Sequence, residues 1–533
     1  MRSTAIAGNN MLPNIVFAFA DDWGRYASAY QKHEGPQSLS ALIDTPHFDR
    51  VALEGALFLN ALVPAPSCTP CRSSILSGQY FWQTGLGAIL VGAVWDDSIP
   101  TFPIELENRA DYFIGYQYKV WSPGRTTNAP IGAKRTQYQP AGYQFNQFSH
   151  WVTENAAELG IEGAKQVLYD ETRQNFRAFL DARPDDKPFC YWWGPTNTHR
   201  TWERGSGHAL WGIDPDTLGG HLPAFLPDVH EIREDAADYL GECLAVDHGI
   251  GILLEELALA NVLENTLFVV SGDHGIPGMP RAKCNLYDIG CEVALAARWP
   301  GHIEPGRVID DFVNLMDLAP TFCEAGGINP PETMTAKSLI PILNSSASGQ
   351  IDSSRDFVVT GRERHVHVAR DGYLPYPQRS LRTKGFIYIV NFEPDRWPMG
   401  DPAGLDDPST PTPDYDQLAY NTMVAYADLD ASPTKAWMIH HREEHDVEPL
   451  YQLAFGKRPR EELYDLNTDP HYMHNVADDP AYAHIRKAME ERLFSVLREQ
   501  NDPRLMEQPC RYEMEPYAGP LAEFQMPTTK DSK

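Results

Sequence analysis

One of the eight cysteines, Cys68, stands where its side chain could act on an anion. Residues 67–78 read Ser-Cys-Thr-Pro-Cys-Arg-Ser-Ser-Ile-Leu-Ser-Gly and predict a turn followed by a helix. Arg72 follows Cys68 by four residues, so its guanidinium can fold back toward the thiol across the first helical turn. The start of a helix adds free N–H groups and a partial positive charge. These features predict an anion site, although a buried structural cysteine is the alternative from the residues alone.

Acidic residues follow two apolar runs of strand length. Asp21 and Asp22 come directly after residues 14–20, and Asp273 and His274 come soon after residues 266–270. The carboxyl ends of central strands are where α/β sheets place their ligands. Adjacent carboxylates repel each other, and a divalent cation would resolve that repulsion. We therefore predict a metal site, with solvated turns as the alternative.

The elements that must position these residues alternate between strand and helix. A strand at 14–20, a helix at 45–55 and a strand at 56–62 precede the cysteine, and a long helix at 234–261 precedes the strand at 266–270. Over 533 residues this alternation predicts an α/β fold with a large core. We expect a catalytic domain at residues 11–378, a smaller C-terminal α+β domain at 379–510 and a tail at 511–533.

The segment around Cys68 resembles the maturation signature of a known enzyme family. Cys-x-Pro-x-Arg followed by Ser-x-x-x-Ser-Gly is similar to the signature of the formylglycine-dependent (type I) sulfatases, in the alkaline phosphatase superfamily. The resemblance implies an alkaline-phosphatase-like mixed sheet flanked by helices. It also implies that a formylglycine-generating enzyme oxidises Cys68 to an aldehyde, whose hydrate is the nucleophile in the hydrolysis of a sulfate ester or sulfamate.

The same resemblance implies roles for residues along the chain. One divalent cation, calcium in this family, would be held by Asp21, Asp22, Cys68, Asp273 and His274. The sulfate would be contacted by the cationic residues Arg72, Lys119 and Lys283. His199 would bind the anion or protonate the leaving group. The chain departs from the family pattern Gly-Lys-x-His, because Trp121 stands where the histidine is expected.

A dense basic cluster stands out in a chain with 44 Lys and Arg against 73 Asp and Glu. The members that we predict to bind substrate are Arg364, His365, His367, Arg379 and Arg382. Their position resembles the substrate-reading segment of the N-sulfoglucosamine sulfohydrolase branch of the family, which implies a sulfated saccharide as substrate. His365 or His367 is also an alternative acid to His199. The other interpretation of the cluster is a solvated strand edge.

Other functions stay open on the sequence. A phosphonate monoester or phosphodiester hydrolase shares the fold and the nucleophile. A degenerate, non-catalytic protein that binds sulfated sugar is favoured by Trp121. Cys68 and Cys71 form a Cys-x-x-Cys, so a redox dithiol or half of a zinc site is a further interpretation, although no second pair accompanies it.

The net charge of −29 limits the partners. An acidic surface repels nucleic acid and anionic membranes, so neither is predicted as a partner. No apolar run is long enough to span a bilayer, and residues 1–10 lack the apolar core of a signal peptide. We therefore expect a cytoplasmic protein, or a periplasmic or secreted one if a signal was removed. Packing of the tail on a partner subunit would make a homo-oligomer.

Overall fold

The structure is a computed structural model that describes residues 12–126, 129–185 and 187–519. Within these residues the chain forms two sheets. The strands of the first sheet are β1 (Asn14–Ala20), β2 (Ala56–Leu62), β3 (Phe113–Tyr118), β4 (Phe189–Gly194), β5 (Thr266–Gly272), β6 (Leu295–Arg298) and β7 (Arg307–Asn314). The strands of the second sheet are β8 (Phe357–Arg362), β9 (Gln378–Thr383), β10 (Phe386–Asn391) and β11 (Glu461–Asp465).

The first sheet mixes parallel and antiparallel strands. Its order among the described residues is β3-β4-β1-β5-β6-β2-β7. β1 lies between β4 and β5 and runs parallel to both, whereas β6 runs antiparallel to β5 and β2. The carboxyl ends of β4, β1 and β5 therefore meet at one edge, which is where such sheets bind ligands.

Helices cover both faces of this sheet, because its central strands are apolar on both sides. In β1, Val16 and Ala18 pack into one core, while Ile15 and Phe17 pack into the other. The helices of the described residues are α1 (Gln31–Glu34), α2 (Pro46–Leu53), α3 (Cys68–Ser77), α4 (Phe102–Ala110), α5 (Phe148–Leu159), α6 (Ile161–Ala182), α7 (Ser206–Trp211), α8 (His230–Leu259), α9 (Asp288–Cys291), α10 (Leu318–Ala325), α11 (Ile340–Leu343), α12 (Tyr415–Tyr420), α13 (Pro433–His440), α14 (Glu448–Phe455), α15 (Ala483–Glu499) and α16 (Pro503–Met506). A mixed sheet with helices on both faces confirms the predicted α/β fold. Within the described ranges, no helix has the length and apolar character needed to cross a membrane.

Buried carboxylates of the long helix α8 accept hydrogen bonds from backbone N–H groups of three neighbouring helices. Asp247 accepts a hydrogen bond from the backbone N–H of Phe48 in α2, and Asp238 accepts one from Gly207 in α7, both at 2.7 Å. Glu242 accepts a similar bond near the start of α5. Burial raises the pKa of each of these three carboxyl groups to about 7. The positive ends of the three helices thus face acidic groups on α8.

The second sheet is antiparallel, in the order β11-β10-β9-β8, and α15 packs against it. Leu493 and Leu497 of α15 contact the same core as Leu381 and Leu463 of the sheet. This sheet with its helix forms the expected second α+β region. β8 already belongs to it, so the sheet begins before the boundary that we placed after residue 378.

The described part of the predicted tail returns to the body of its own chain. The N–H of Gly519 donates to the carbonyl of Gly92 at 2.9 Å, and the hydroxyl of Tyr512 donates to the carbonyl of Trp82 at 3.2 Å. Residues 511–519 therefore pack against the same chain. Residues 1–10, in which we looked for a signal peptide, and the rest of the tail at 520–533 lie outside the described residues.

Candidate active site

Potential metal ligands meet where β1 and β5 end. These strands pair in parallel with Ala20 opposite Gly272, so the residues that follow them are neighbours. The backbone N–H of Asp22 donates to the Asp273 carboxylate at 2.7 Å. His274 Nε2 lies 3.1 Å from Asp22 Oδ1 and 3.5 Å from Asp273 Oδ1. The structure therefore brings together side chains that are 251 residues apart in the sequence.

Cys68 begins α3 and reaches the same point. Its Sγ lies 3.3 Å from His274 Nε2 and 3.8 Å from Asp22 Oδ1. The ligand atoms of Asp21, Cys68 and Asp273 lie within 4.8 Å of one another. Burial, together with the charge of Asp21, raises the pKa of the Cys68 thiol well above its ordinary value. The unmodified side chain is therefore a protonated thiol and a poor nucleophile at neutral pH.

Arg72 and Lys119 surround the Asp21 carboxylate. Arg72 Nη2 lies 3.0 Å from Asp21, and its Nε lies 2.8 Å from Asp273. Lys119 Nζ lies 2.7 Å from Asp21. Burial alone would raise the pKa of Asp21, but Lys119 and Arg72 lower it well below the ordinary value. Asp21 is therefore ionised, and the two predicted sulfate contacts lie beside the predicted metal ligands.

Lys283 joins this cluster from the loop after β5. Its Nζ lies 2.9 Å from Asp22 and 3.1 Å from Asp430. Burial alone would lower the pKa of Lys283, but the charges of Asp22 and Asp430 raise it well above the ordinary value. The ammonium is therefore charged, as a contact with an anionic substrate requires.

His199 stands at the mouth of the site, after β4, with its side chain 38% exposed. Its Nδ1 lies 2.6 Å from the carbonyl oxygen of Arg200, and because a carbonyl only accepts, Nδ1 carries the hydrogen. Its Nε2 lies 3.9 Å from Asp22 Oδ2. This nitrogen can hold a proton beside the cluster and pass it to a bound molecule.

His365 also reaches the site, as a buried ring. Its Nδ1 lies 2.8 Å from Oγ of Ser67, the residue before Cys68. Burial lowers the pKa of His365 to about 3, so the ring is neutral at pH 7 and unsuited to the role of alternative acid. Val366, which follows it, packs against the apolar cluster of Cys68, Leu90 and Val91. This part of the basic cluster therefore lies beside the start of α3, next to Cys68.

The structure corrects the substrate-binding prediction for two arginines of β9. Arg379 is fully buried, with Nε 2.6 Å from Asp502 and Nη2 2.7 Å from Glu363. Arg382 is 8% exposed and lies 2.7 Å from Asp288. Because each guanidinium is already held by carboxylates, neither is available to a substrate. The charge count of the sequence does not reveal such partners.

The other two members of the cluster, Arg364 and His367, contact aromatic residues of their own chain. Arg364 is buried, donates to the carbonyl of Tyr512 at 3.0 Å and lies 5.3 Å from the ring centre of Tyr517. The half-buried His367 ring lies parallel to that of Tyr373, with 6.1 Å between the ring centres. The guanidinium of Arg364 therefore already interacts with residues of its own chain. Substrate binding by His367 stays a prediction.

Two further sequence features prove to be structural. Trp121 is buried, donates through Nε1 to Ser73 Oγ at 2.8 Å and packs edge-on against Trp95. It offers no face to a sugar, so the non-catalytic sugar-binding alternative loses its support. Cys71 is a core residue, and among the described residues the groups that could hold a metal include Cys68 but not Cys71. This placement disfavours a metal or redox role for the Cys-x-x-Cys pair.

Two carboxylates near the site were missed by the sequence analysis. Asp430 pairs with Lys283, as described above. Asp428 lies 2.7 Å from Arg370 and accepts a hydrogen bond from the N–H of Val366 at 2.9 Å. Both residues lie in an irregular stretch without a recognisable motif, so the sequence around them does not indicate that they form ion pairs near the site.

The comparison with known proteins gives a consistent set of matches. Residues 13–328 match the family model described as Sulfatase. The human N-sulphoglucosamine sulphohydrolase is 27% identical over 529 residues, which cover 92% of this chain and 91% of that protein. An ulvan-active sulfatase of Formosa agariphila is 25% identical over 496 residues, covering 92% of this chain and 81% of that protein. The solved structure of a phosphonate monoester hydrolase of Agrobacterium radiobacter shares the fold, with a TM-score of 0.59 and 17% identity over 92% of this chain and 96% of that one.

Proposed function

Because the chain belongs to the sulfatase family, we propose that it is a hydrolase of sulfate esters or sulfamates whose substrate is a sulfated saccharide. The observation that carries the proposal is the convergence of Cys68 with three carboxylates and three cationic side chains at one end of the sheet. The names of two relatives, which refer to N-sulphoglucosamine and to ulvan, support a saccharide as the substrate.

The buried carboxylates suit a divalent cation, which we assign as calcium. Asp21, Asp22 and Asp273 offer oxygen atoms, the ligands that calcium prefers, and His274 offers one nitrogen. With Asp430, which pairs with Lys283, four carboxylates face three cationic side chains. A dication and a singly charged sulfate ester would together offset the one negative charge that remains. When bound, the cation would stabilise negative charge on the sulfate oxygens.

Cys68 requires conversion before it can act, and we propose a formylglycine-generating enzyme as the partner that performs it. The buried thiol is held in its protonated form, as its raised pKa indicates. Formylglycine at this position would, in its hydrated form, supply a hydroxyl group that attacks sulfur and gives its proton to a neighbouring carboxylate such as Asp22. Loss of the proton of the second hydroxyl to water would then re-form the aldehyde and release sulfate. The start of α3 places the formylglycine next to free backbone N–H groups, which favour a bound anion.

The side chains around Cys68 have separate roles in binding the sulfate and in protonating the leaving group. Arg72 is saturated by two carboxylates and orients them. Lys119, with its side chain 10% exposed, and Lys283 hold the sulfate oxygens. As the S–O or S–N bond breaks, its electron pair goes to the leaving oxygen or nitrogen. That atom takes the proton from Nε2 of His199, the exposed histidine of the site.

Sulfate release from defined saccharides tests the proposal. The enzyme, produced together with a formylglycine-generating enzyme, should release sulfate from a member of a panel sulfated at N-, 2-O- or 6-O-positions. The Cys68→Ala variant is the matched control and should release none at an unchanged Tm. No release by enzyme with confirmed formylglycine and bound metal would contradict the proposal. Faster turnover of an aryl phosphonate than of an aryl sulfate would favour a phosphonate monoester hydrolase instead.

The oligomeric state and the cellular location of the protein are also proposals. A homo-oligomer would need a surface other than residues 511–519, because these pack on their own chain. Size-exclusion chromatography with light scattering tests it. A cytoplasmic location, or an exported one after removal of a signal, stays a prediction that fractionation of the source cells would test.

A further inference from the structure

One carboxylate in the site has no role in the proposed reaction. Asp430 lies 3.1 Å from Lys283 Nζ, and its side chain is 18% exposed. Within the described part of the chain, no other ion pair or side-chain hydrogen bond reaches it. Burial alone would raise the pKa of Asp430, but Lys283 and His199 hold it well below the ordinary value. An ionised acceptor therefore lies beside Lys283, which holds the sulfate, and is close enough to His199 to be influenced by its charge.

The loop that carries Asp430 is held in place from both sides. Lys435 Nζ donates to the carbonyl of Leu429 at 2.9 Å. Asp428, two positions earlier, is fully buried and paired with two arginines, including Arg370 at 2.7 Å. Asp428 is thus fully paired within the protein, whereas Asp430 has a single charged partner, is partly exposed and can accept further hydrogen bonds. Because the carboxylate is already held in place, little conformational entropy is lost when it binds a substrate group.

We propose that Asp430 determines specificity, by accepting a hydrogen bond from a hydroxyl or ammonium group of the saccharide next to the scissile sulfate. The inference rests on the proposed function, because it needs a saccharide bound between Cys68 and His199. A carboxylate only accepts hydrogen bonds, so it selects a donor and repels a second anion at the same place. The enzyme should therefore prefer a sugar with a free neighbouring position over one that is sulfated there.

The competing role for Asp430 is that of a counter-ion for Lys283. In that case its removal would weaken all sulfated substrates alike, because Lys283 faces the sulfate group that they share. A role in specificity instead makes the loss depend on the group beside the scissile sulfate. A comparison across matched substrates separates the two roles.

The experiment uses three saccharides sulfated at one common position, with a hydroxyl, a hydrogen or a second sulfate at the neighbouring position. The wild type should prefer the hydroxyl compound over the deoxy compound by roughly ten- to a hundredfold in kcat/KM, the effect of one charged hydrogen bond. Asp430→Ala should remove this preference. The isosteric Asp430→Asn should lower the discrimination against the doubly sulfated compound. Asp446→Asn, at a carboxylate that is 98% exposed, is the control and should leave both ratios unchanged.

The outcomes separate this inference from the proposed function. Equal losses on all three compounds in Asp430→Ala would overturn the inference and assign Asp430 to Lys283. If Asp430→Ala does not fold, unchanged ratios in Asp430→Asn would overturn it in the same way. A wild type that releases sulfate without preferring the hydroxyl compound overturns only the role of Asp430. A wild type with confirmed formylglycine that releases none overturns the proposed function, and this inference with it.

Discussion

Replacing Arg379 with alanine should destabilise the fold rather than change the substrate. The guanidinium of Arg379 is fully buried between Asp502 and Glu363. Glu363 keeps a second cation, Arg504, at 2.5 Å, whereas Asp502 loses the one cation that pairs with it in the described residues. Removing one partner of a buried ion pair costs about 3–5 kcal/mol, since it leaves an uncompensated charge. We expect Arg379→Ala to lower the free energy of unfolding by about that amount.

Urea unfolding at pH 7, followed by circular dichroism, measures this loss. The control is Arg204→Ala, because Arg204 pairs with Glu234 at 2.6 Å but is 45% exposed. An exposed pair contributes about 1 kcal/mol or less, so this control should be nearly as stable as the wild type. The double variant Arg379→Ala/Asp502→Asn should recover part of the loss, because it no longer holds an unpaired buried carboxylate.

The kinetic assay completes the test. At a temperature where Arg379→Ala is folded, its kcat/KM on a sulfated saccharide and on an aryl sulfate should fall by the same small factor, if at all. A stable Arg379→Ala variant with a selective loss on the saccharide would refute this reasoning. It would also restore the substrate-binding role that the sequence predicted for Arg379.

Peptide mass spectrometry should show formylglycine at Cys68 in enzyme made with a formylglycine-generating enzyme; active protein with only the free thiol would contradict the proposed nucleophile. Asp273→Asn should lower bound metal, measured by elemental analysis, and reduce kcat/KM roughly a hundredfold or more; full activity without metal would exclude this centre. Burial raises the pKa of Asp247 from 3.8 to about 7, so its contribution to stability is complete below the unfolded pKa and is lost as the pH rises through the folded pKa. Asp247→Asn should flatten the fall in unfolding free energy between pH 4 and 7, and an unchanged urea profile would exclude Asp247 as its cause.

The core of the site could be predicted from the sequence, because it depends on local patterns. An apolar run places Asp22 at the end of a central strand, and a second run does the same for Asp273. Parallel strands end at the same edge, so the meeting of these acids follows from the fold class. The Cys68 motif lies at the turn into a helix, and its spacing alone brings Arg72 back to the site. In each case a few neighbouring residues carry the information.

The partners of the charged residues were decided only by the tertiary structure. Arg379 looked like a substrate contact because the sequence shows its charge but not Asp502, 123 residues later, which neutralises it. Asp430 looked like an ordinary acid in an irregular stretch, yet the fold brings it to Lys283. The sequence by itself thus determined which side chains can do the chemistry and which strands present them. Whether a charged side chain pairs with another residue of the protein or can bind a substrate depends on contacts between distant segments, which no local pattern encodes.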